Sequence, residues 1–258
     1  MTEGTVHLRI EDGVASVVFD RPQARNAMTW AMYEQLVRIC TELPTDSTLR
    51  VVTFRGAGGQ AFVAGTDIEQ FQAFQTGEDG VAYERKIDAC ISLLEALPIP
   101  TVAVIDGWTI GGGLAIATAC DFRIATPASR FGVPIAKTLG NCLSIANLAR
   151  LGAAFGMQRV KRMLLLAEIL NADEALACGY LGQICEPAEL DAASQHLCQR
   201  LAALAPVTQS VTKESLRRLL VHQLPDGEDL IRRCYGSSDF REGVHAFVAK
   251  RSPVWTGA

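Results

Sequence analysis

The segment that decides the fold spans residues 101–125 and reads TVAVIDGWTIGGGLAIATACDFRIA. Its first part, Thr101–Asp106, is an apolar run with an acidic end, which predicts a strand. Gly111-Gly112-Gly113 then opens a short, alanine-rich stretch that predicts a buried helix, and Asp121–Ala125 predicts the next strand. Strands that alternate with helices in this way are typical of an α/β protein.

The start of the chain follows the same plan. Val6–Ile10 and Val14–Phe19 flank the turn signal Asp12-Gly13, which predicts a hairpin. Apolar residues between Met28 and Leu43 then recur at helical spacing, with Thr29 as the candidate N-cap.

The region between this helix and residue 101 repeats the alternation. Arg50–Arg55 predicts a strand, Ala61–Gly65 is a short apolar segment, and a helical pattern begins at Ile68. Gly77–Gly80 predicts a surface loop, and Tyr83–Leu97 predicts an amphipathic helix.

The last third of the chain is helical. Helices are predicted near residues 188–204, 207–221, 226–234 and 238–249. The Ala/Leu-rich stretch at 196–205 is the candidate hinge between a core and this helical tail.

Composition excludes several classes of protein. Apolar residues make up 49% of the 258 residues and charged residues 20%, which is typical of a folded globular chain. The net charge of −4 argues against a nucleic-acid-binding protein. The longest apolar run, near Met163–Ala167, is far shorter than the ~20 residues of a membrane span. Met1–Arg9 lacks the pattern of a secretory signal, so we expect a cytoplasmic protein without a membrane span.

Cysteine and histidine are arranged as in a protein without a metal site. None of the 8 cysteines forms a Cys-x-x-Cys pair, and the 4 histidines are scattered along the chain. Zinc modules and disulfide scaffolds use characteristic cysteine spacings, which this sequence lacks. We therefore expect buried, reduced thiols and no bound metal.

Two glycine-containing turns are the candidate chemical features. In Ala64-Gly65-Thr66-Asp67-Ile68, a strand-like segment stops at a glycine and a helical pattern begins; Ile110–Leu114 places three glycines before a buried helix. Both turns leave backbone N–H groups free at a helix start, and two such donors that converge on one oxygen form an oxyanion hole. Taken singly, each motif also fits an ordinary tight turn. Neither a nucleotide-binding glycine pattern nor a Gly-x-Ser-x-Gly elbow is present.

A series of separated motifs makes the order of these features recognisable. The motifs are Arg21-Pro22-x-x-x-Asn26-Ala27-Met28, Ala61-Phe62-x-Ala64-Gly65-x-Asp67-Ile68, Asp106-Gly107-x-x-x-Gly111-Gly112-Gly113, Cys120-Asp121-x-Arg123-Ile124-Ala125, Phe131-Gly132-x-Pro134 and Asn171-Ala172-x-Glu174. In this order they resemble the crotonase family, which is the enoyl-CoA hydratase/isomerase superfamily. The resemblance covers nearly the whole chain.

The resemblance implies an α/β fold in which ββα units form a spiral, followed by a helical C-terminal region. Residues 1–200 would form the core with the acyl-CoA site, and residues 201–258 would mediate trimerisation. The implied substrate is an acyl-CoA thioester, with coenzyme A as part of the substrate and no permanently bound cofactor. The implied assembly is a homotrimer or a dimer of trimers.

The resemblance also implies roles for individual residues. The two oxyanion-hole donors would be the backbone N–H groups of Thr66, where relatives often have alanine, and Gly112. Arg25 is the first candidate for the coenzyme A phosphates and Lys250 or Arg251 the second, although each also fits a solvated surface charge. The remaining implied substrate-binding residues are Ala64, Gly65, Asp67, Ile68 and Gly111.

The chain departs from the family at the positions that handle protons. The resemblance implies glutamates at Ala115 and at Ile135, or at Ala136 if the register slips by one residue. These side chains cannot transfer protons, so acid–base catalysis by that pair is excluded. Isomerase, decarboxylase or hydrolase chemistry remains open, and the alternative is a catalytically degenerate acyl-CoA-binding protein. Candidates for another reactive group are Lys137, Asn141, Cys142, Ser144, Glu69 and Glu84, of which Cys142 also fits a core residue.

Overall fold

The computed structural model describes residues 3–257 and shows a mixed α/β protein with two β-sheets. The strands are β1 Thr5–Glu11, β2 Val14–Asp20, β3 Val51–Gly56, β4 Ala61–Val63, β5 Thr101–Ile105, β6 Trp108–Ile110, β7 Phe122–Ala125, β8 Arg130–Gly132, β9 Ile169–Asn171 and β10 Gln183–Ile184. The larger sheet has six strands in the order β1-β2-β3-β5-β7-β10, and the smaller has four in the order β4-β6-β8-β9.

Successive units distribute their strands between the two sheets. The first strands of three units, β3, β5 and β7, lie parallel in the larger sheet, and their second strands, β4, β6 and β8, lie parallel in the smaller one. The predicted N-terminal hairpin of β1 and β2 is present, and it extends the larger sheet. The predicted spiral of ββα units is therefore confirmed.

Helices cover the sheets and form the C-terminal region. They are α1 Trp30–Glu42, α2 Gly77–Glu95, α3 Gly112–Ala119, α4 Ile135–Thr138, α5 Ile145–Phe155, α6 Met157–Leu165, α7 Ala172–Ala177, α8 Leu190–Ala202, α9 Pro206–Val221, α10 Glu228–Tyr235 and α11 Ser238–Val248. The predicted N-cap of α1 is present, because Thr29 Oγ1 accepts a hydrogen bond from the Met32 N–H at 3.3 Å. The four helices predicted for the C-terminal region are also present.

One local prediction is wrong, and a second is confirmed only in part. Gly77–Gly80 is not a surface loop but the first turn of α2. At Gly80, α2 lies against the aromatic ring of Tyr235. A Cβ at position 80 would lie 2.1 Å from Tyr235 Cγ, so this position needs glycine. The helix predicted from Ile68 is only a short 3-10 helix, Ile68–Ala73.

The predicted hinge at 196–205 is also wrong for most of its length. Residues 196–202 continue α8 without a break, and only 203–205 connect α8 to α9. Cys198 and Leu201 are buried against Val51 and Val104 of the larger sheet. This packing holds α8 as one rigid helix because apolar side chains along it face the sheet.

The thiols are unpaired in the structure. All eight cysteines are free, and burial raises the pKa of Cys90 and Cys120 to about 12, which keeps them neutral. Within residues 3–257, no cluster of three or more His, Cys, Asp or Glu side chains is placed to hold a metal ion. Across the same residues, no helix has the length and hydropathy needed to cross a membrane.

Candidate functional site

The first glycine turn is fixed by hydrogen bonds to the segment before α1. The Met28 N–H donates to the carbonyl of Gly65 at 2.9 Å, and the Asp67 N–H donates to the carbonyl of Met28 at 2.8 Å. One residue earlier, the Ala64 N–H donates to the carbonyl of Arg25 at 3.0 Å. These bonds fix the backbone on both sides of Thr66 and hold its amide in one orientation.

The second turn uses each of its three glycines differently. Gly111 has φ 53° and ψ −119°, a conformation that glycine adopts without steric cost. At Gly113, a Cβ would lie 2.0 Å from the carbonyl oxygen of Val63. At Gly112, a Cβ would lie 3.8 Å from the backbone nitrogen of Thr66, so the two turns are in contact.

Among residues 3–257, the backbone N–H groups of Thr66 and Gly112 have no acceptor. In the described part of the chain, neither N–H donates to a backbone or side-chain oxygen. Gly112 is the first residue of α3, where the helix leaves its N–H groups unpaired and its dipole favours negative charge. The two neighbouring amides can therefore bind one oxygen that carries developing negative charge.

The close contact between Gly113 and the Val63 carbonyl gives a prediction about stability. Gly113→Ala places a methyl group against the Val63 carbonyl, so we expect the free energy of unfolding to fall by about 2 kcal/mol or more, as overpacking does. Urea denaturation measures this change. The control is Gly152→Ala in α5, where the added Cβ meets only the mobile end of Met157. Equal stability of both variants would contradict the close contact between Gly113 and the Val63 carbonyl.

The Thr66 side chain is held by two tyrosines that sequence reasoning missed. Thr66 Oγ1 lies 2.8 Å from the Tyr33 hydroxyl and 2.9 Å from the Tyr83 hydroxyl. Burial raises the pKa of both phenols well above the ordinary value, so they stay neutral. The sequence signals only that Tyr33 and Tyr83 lie in predicted helices, since their meeting depends on how α1 and α2 pack.

The two turns open onto a cavity of about 160 Å³. Its wall is mostly apolar and includes α2, α4 and the loop after α4. The predicted site residues that line it are Ala64, Gly65, Thr66, Ile68, Gly111, Gly112, Ala115 and Ile135. The structure thus gathers most of the predicted site, and it places the two non-acidic positions on the wall.

Glu84 of α2 supplies a carboxyl group to this wall. The residue is 3% exposed. The Tyr235 hydroxyl donates to Glu84 Oε1 at 2.7 Å, and the Ser144 N–H donates to Oε2 at 3.1 Å. Burial raises the pKa of Glu84 to about 7, against the opposing effect of these two hydrogen bonds. The group can therefore both hold and release a proton near neutral pH.

Asn141 joins Glu84 in the cavity wall. Its Nδ2 donates to the Tyr235 hydroxyl at 3.3 Å. Among the described residues, its buried Oδ1 has no hydrogen-bond partner. An unpaired buried acceptor costs free energy, and it can accept a hydrogen bond from a bound molecule.

The other candidates for a reactive group lie outside the cavity. Lys137 and Glu69 are exposed. Cys142 packs in the apolar cluster beneath α10 and α11. Ser144 caps α5 through its Oγ, which also donates to Asp88 at 2.7 Å. Each of these four side chains is therefore a surface, packing or capping residue in the structure.

The predicted charged residues do not reach the cavity wall. The Asp67 carboxylate forms an ion pair with the Arg21 guanidinium at 2.8 Å, and it caps the 3-10 helix that follows. Arg25 is exposed on a left-handed turn with φ 51°. Arg251 pairs with Glu242, and Lys250 is exposed.

The ββα spiral, with its two glycine turns beside an apolar cavity, agrees with the crotonase class that the sequence motifs predicted. Comparison with protein families matches residues 9–258 to enoyl-CoA hydratase/isomerase. The chain belongs to the enoyl-CoA hydratase/isomerase family, as the sequence motifs predicted.

Individual relatives agree with this assignment. The chain is 30% identical to short-chain-enoyl-CoA hydratase of Clostridium acetobutylicum, over 97% of each chain. It is 33% identical to an enoyl-CoA isomerase/hydratase of Mycosarcoma maydis, over 95% of this chain and 93% of that one. Among solved structures, methylmalonyl-CoA decarboxylase in complex with 2-nitronate-propionyl-CoA superposes with a TM-score of 0.89, at 25% identity and over 98% of both chains.

Proposed function

We propose that this protein is an acyl-CoA enzyme that stabilises the enolate of a thioester at the backbone N–H groups of Thr66 and Gly112. The observation that carries the proposal is the pair of unpaired amides at one apolar cavity. When a thioester becomes an enolate, negative charge gathers on its oxygen. Two fixed donors then bind the transition state more tightly than the ground state, which accelerates the reaction.

The side chains of the cavity argue against hydration through the usual pair of glutamates. Ala115 and Ile135 have no acid or base, and hydration needs both a base for the water and an acid for the carbon. Isomerisation, decarboxylation or thioester hydrolysis are the reactions that we propose instead. Decarboxylation needs the least help from acid or base groups, because the breaking C–C bond leaves its electron pair in the enolate. The high structural similarity to methylmalonyl-CoA decarboxylase supports it.

Membership of the family supports proposals for the substrate and the assembly. We propose that coenzyme A binds as part of the substrate, with Arg25 at its phosphates and no permanently bound cofactor. We also propose that residues 1–200 form the core with the acyl-CoA site and that residues 201–258 assemble a homotrimer or a dimer of trimers in the cytoplasm. Exposed apolar side chains on α9 support the assembly; they are Val207, Val211, Leu216 and Leu219.

The alternative function is an acyl-CoA-binding protein that has lost catalysis. The observation in its favour is the apolar character of Ala115 and Ile135 on the cavity wall. Such a protein would bind thioesters tightly and leave them unchanged.

A mixed pool of thioesters distinguishes these functions. The pool contains 2-enoyl-, 3-enoyl-, 3-hydroxyacyl- and malonyl-type CoA esters, and mass spectrometry follows each after incubation with the protein. We expect loss of carbon dioxide, a shifted double bond or release of free coenzyme A. Addition or loss of water would contradict the reading of Ala115 and Ile135. A pool that is bound but unchanged would favour the binding protein.

A further inference from the structure

We propose that Glu84 is the catalytic acid–base residue of this site and exchanges a proton with the carbon next to the thioester carbonyl. This inference rests on the proposed function, because the proton moves only to or from the enolate that Thr66 and Gly112 stabilise. It assigns the role to α2, far in sequence from the two positions where the family resemblance implies glutamates.

The position of the Glu84 carboxyl group supports this role. Glu84 lines the same cavity as Thr66, Gly112 and Ala115. Of the described residues that line this cavity, Glu84 is the only one with a carboxyl group. A thioester held by the two amides therefore has one candidate carboxyl group within the same cavity.

Two hydrogen-bond donors hold the Glu84 carboxyl group in place. Each oxygen accepts one hydrogen bond, from the hydroxyl of Tyr235 in α10 and from the Ser144 N–H before α5. A carboxylate has about four lone-pair sites, so further sites stay available for a proton or a substrate C–H. The donors fix the side chain without forming an ion pair that would keep it permanently ionised.

The groups that surround Glu84 place no cation next to its carboxyl group among the described residues. The facing titratable groups are Tyr83 on its own helix, Tyr33 of α1, Tyr235 and Cys234 of α10, and Cys142 of the loop, together with Asp88. The nearby cation, Arg150, contacts Asp88 at 3.6 Å and Glu95 at 3.1 Å instead. Burial is therefore the largest influence on Glu84 and raises its pKa to about 7.

The proposed step balances in both directions. As a base, the Glu84 carboxylate takes a proton from C2, and the electron pair of the C–H bond forms the enolate held by Thr66 and Gly112. As an acid, Glu84 returns the proton to C2, and the thioester carbonyl forms again. With a 3-enoyl thioester the enolate is a dienolate, so Glu84 can instead protonate C4 while the double bond moves from C3=C4 to C2=C3. After a decarboxylation, the carboxylate recovers a proton from water. No oxidant or metal is required.

Hydrogen exchange at C2 of butyryl-CoA in D2O tests this role, with mass spectrometry as the readout. The base form acts, so the exchange rate of the wild-type protein should rise with pH through an inflection near 7 and then level off. Glu84→Gln should slow exchange by about 100-fold or more and remove the inflection, as loss of a general base does. Glu84→Asp keeps a carboxyl group and should keep an inflection.

Asp88→Asn is the matched control, because it removes a carboxyl group one turn further along α2 that does not line the cavity. It should keep an inflection, moved to lower pH, because the negative charge of Asp88 contributes to the raised pKa of Glu84. Wild-type exchange that Glu84→Gln leaves unchanged in rate and pH profile would overturn the role of Glu84 but not the proposed function. Absence of exchange from the wild-type protein, with butyryl-CoA bound, would overturn both.

Discussion

Removing the Gly112 N–H should lower the rate of C2 exchange about 100- to 1000-fold, which corresponds to about 3 kcal/mol of lost transition-state stabilisation. Gly112→Pro makes this change, since proline lacks the N–H and fits the first position of a helix. The Cβ of the proline ring would, however, lie 2.5 Å from the Tyr33 hydroxyl oxygen. The variant is therefore built on Tyr33→Phe, which removes that oxygen.

The matched control is Gly112→Ala on the same Tyr33→Phe background. It adds the same Cβ and keeps the N–H, so its rate should stay close to that of Tyr33→Phe alone. Circular dichroism confirms that each variant is folded. If the proline and alanine variants exchange protons equally fast, the Gly112 amide has no part in catalysis.

Asn26→Ala should lower the free energy of unfolding by about 4 kcal/mol, because several buried groups lose their partners at once. Asn26 is fully buried. Its Oδ1 accepts from the Arg21 N–H at 2.9 Å, and its Nδ2 donates to the carbonyls of Ala57 and Ala61 at 2.9 and 2.8 Å. These bonds join the loop before α1 to β4, and β4 leads directly into the turn at Thr66.

Two controls separate the hydrogen bonds from other effects, with urea denaturation as the measurement. Asn26 has φ 57°, so Asn26→Gly relieves backbone strain while it removes the same hydrogen bonds. It should destabilise nearly as much as Asn26→Ala. Asn171→Ala removes an N-cap with a single side-chain bond and should cost about 1 kcal/mol. A cost for Asn26→Ala no larger than this would contradict the account.

The fold was predictable because local signals agree with the tertiary structure. The hairpin turn at Asp12-Gly13, the cap at Thr29 and the apolar strand at Thr101–Ile105 depend on neighbours in sequence. Gly77–Gly80 was mispredicted because glycine has two uses. Glycine occurs in loops, and it also occurs where a helix packs closely against a side chain. Only the position of Tyr235, which is distant in sequence, shows that Gly80 has the second role.

The two turns could be predicted from the sequence, because a glycine before a helix leaves backbone amides free. The family resemblance assigned the donors to Thr66 and Gly112, and the sequence named Glu84 only as one of several candidate reactive groups. The bond between Glu84 and Tyr235 joins residues 151 positions apart. No local pattern encodes such a pair, since it depends on α10 packing against α2.

The carbonyl stretching frequency of a bound thioester tests the central claim most directly. Butyryl-CoA that carries ¹³C at the thioester carbonyl is compared, free and bound, by difference infrared spectroscopy. Donation from Thr66 and Gly112 polarises the carbonyl, so the frequency should fall on binding and fall less in Gly112→Pro on the Tyr33→Phe background. A bound carbonyl with the frequency of the free thioester would show that the two amides do not bind it.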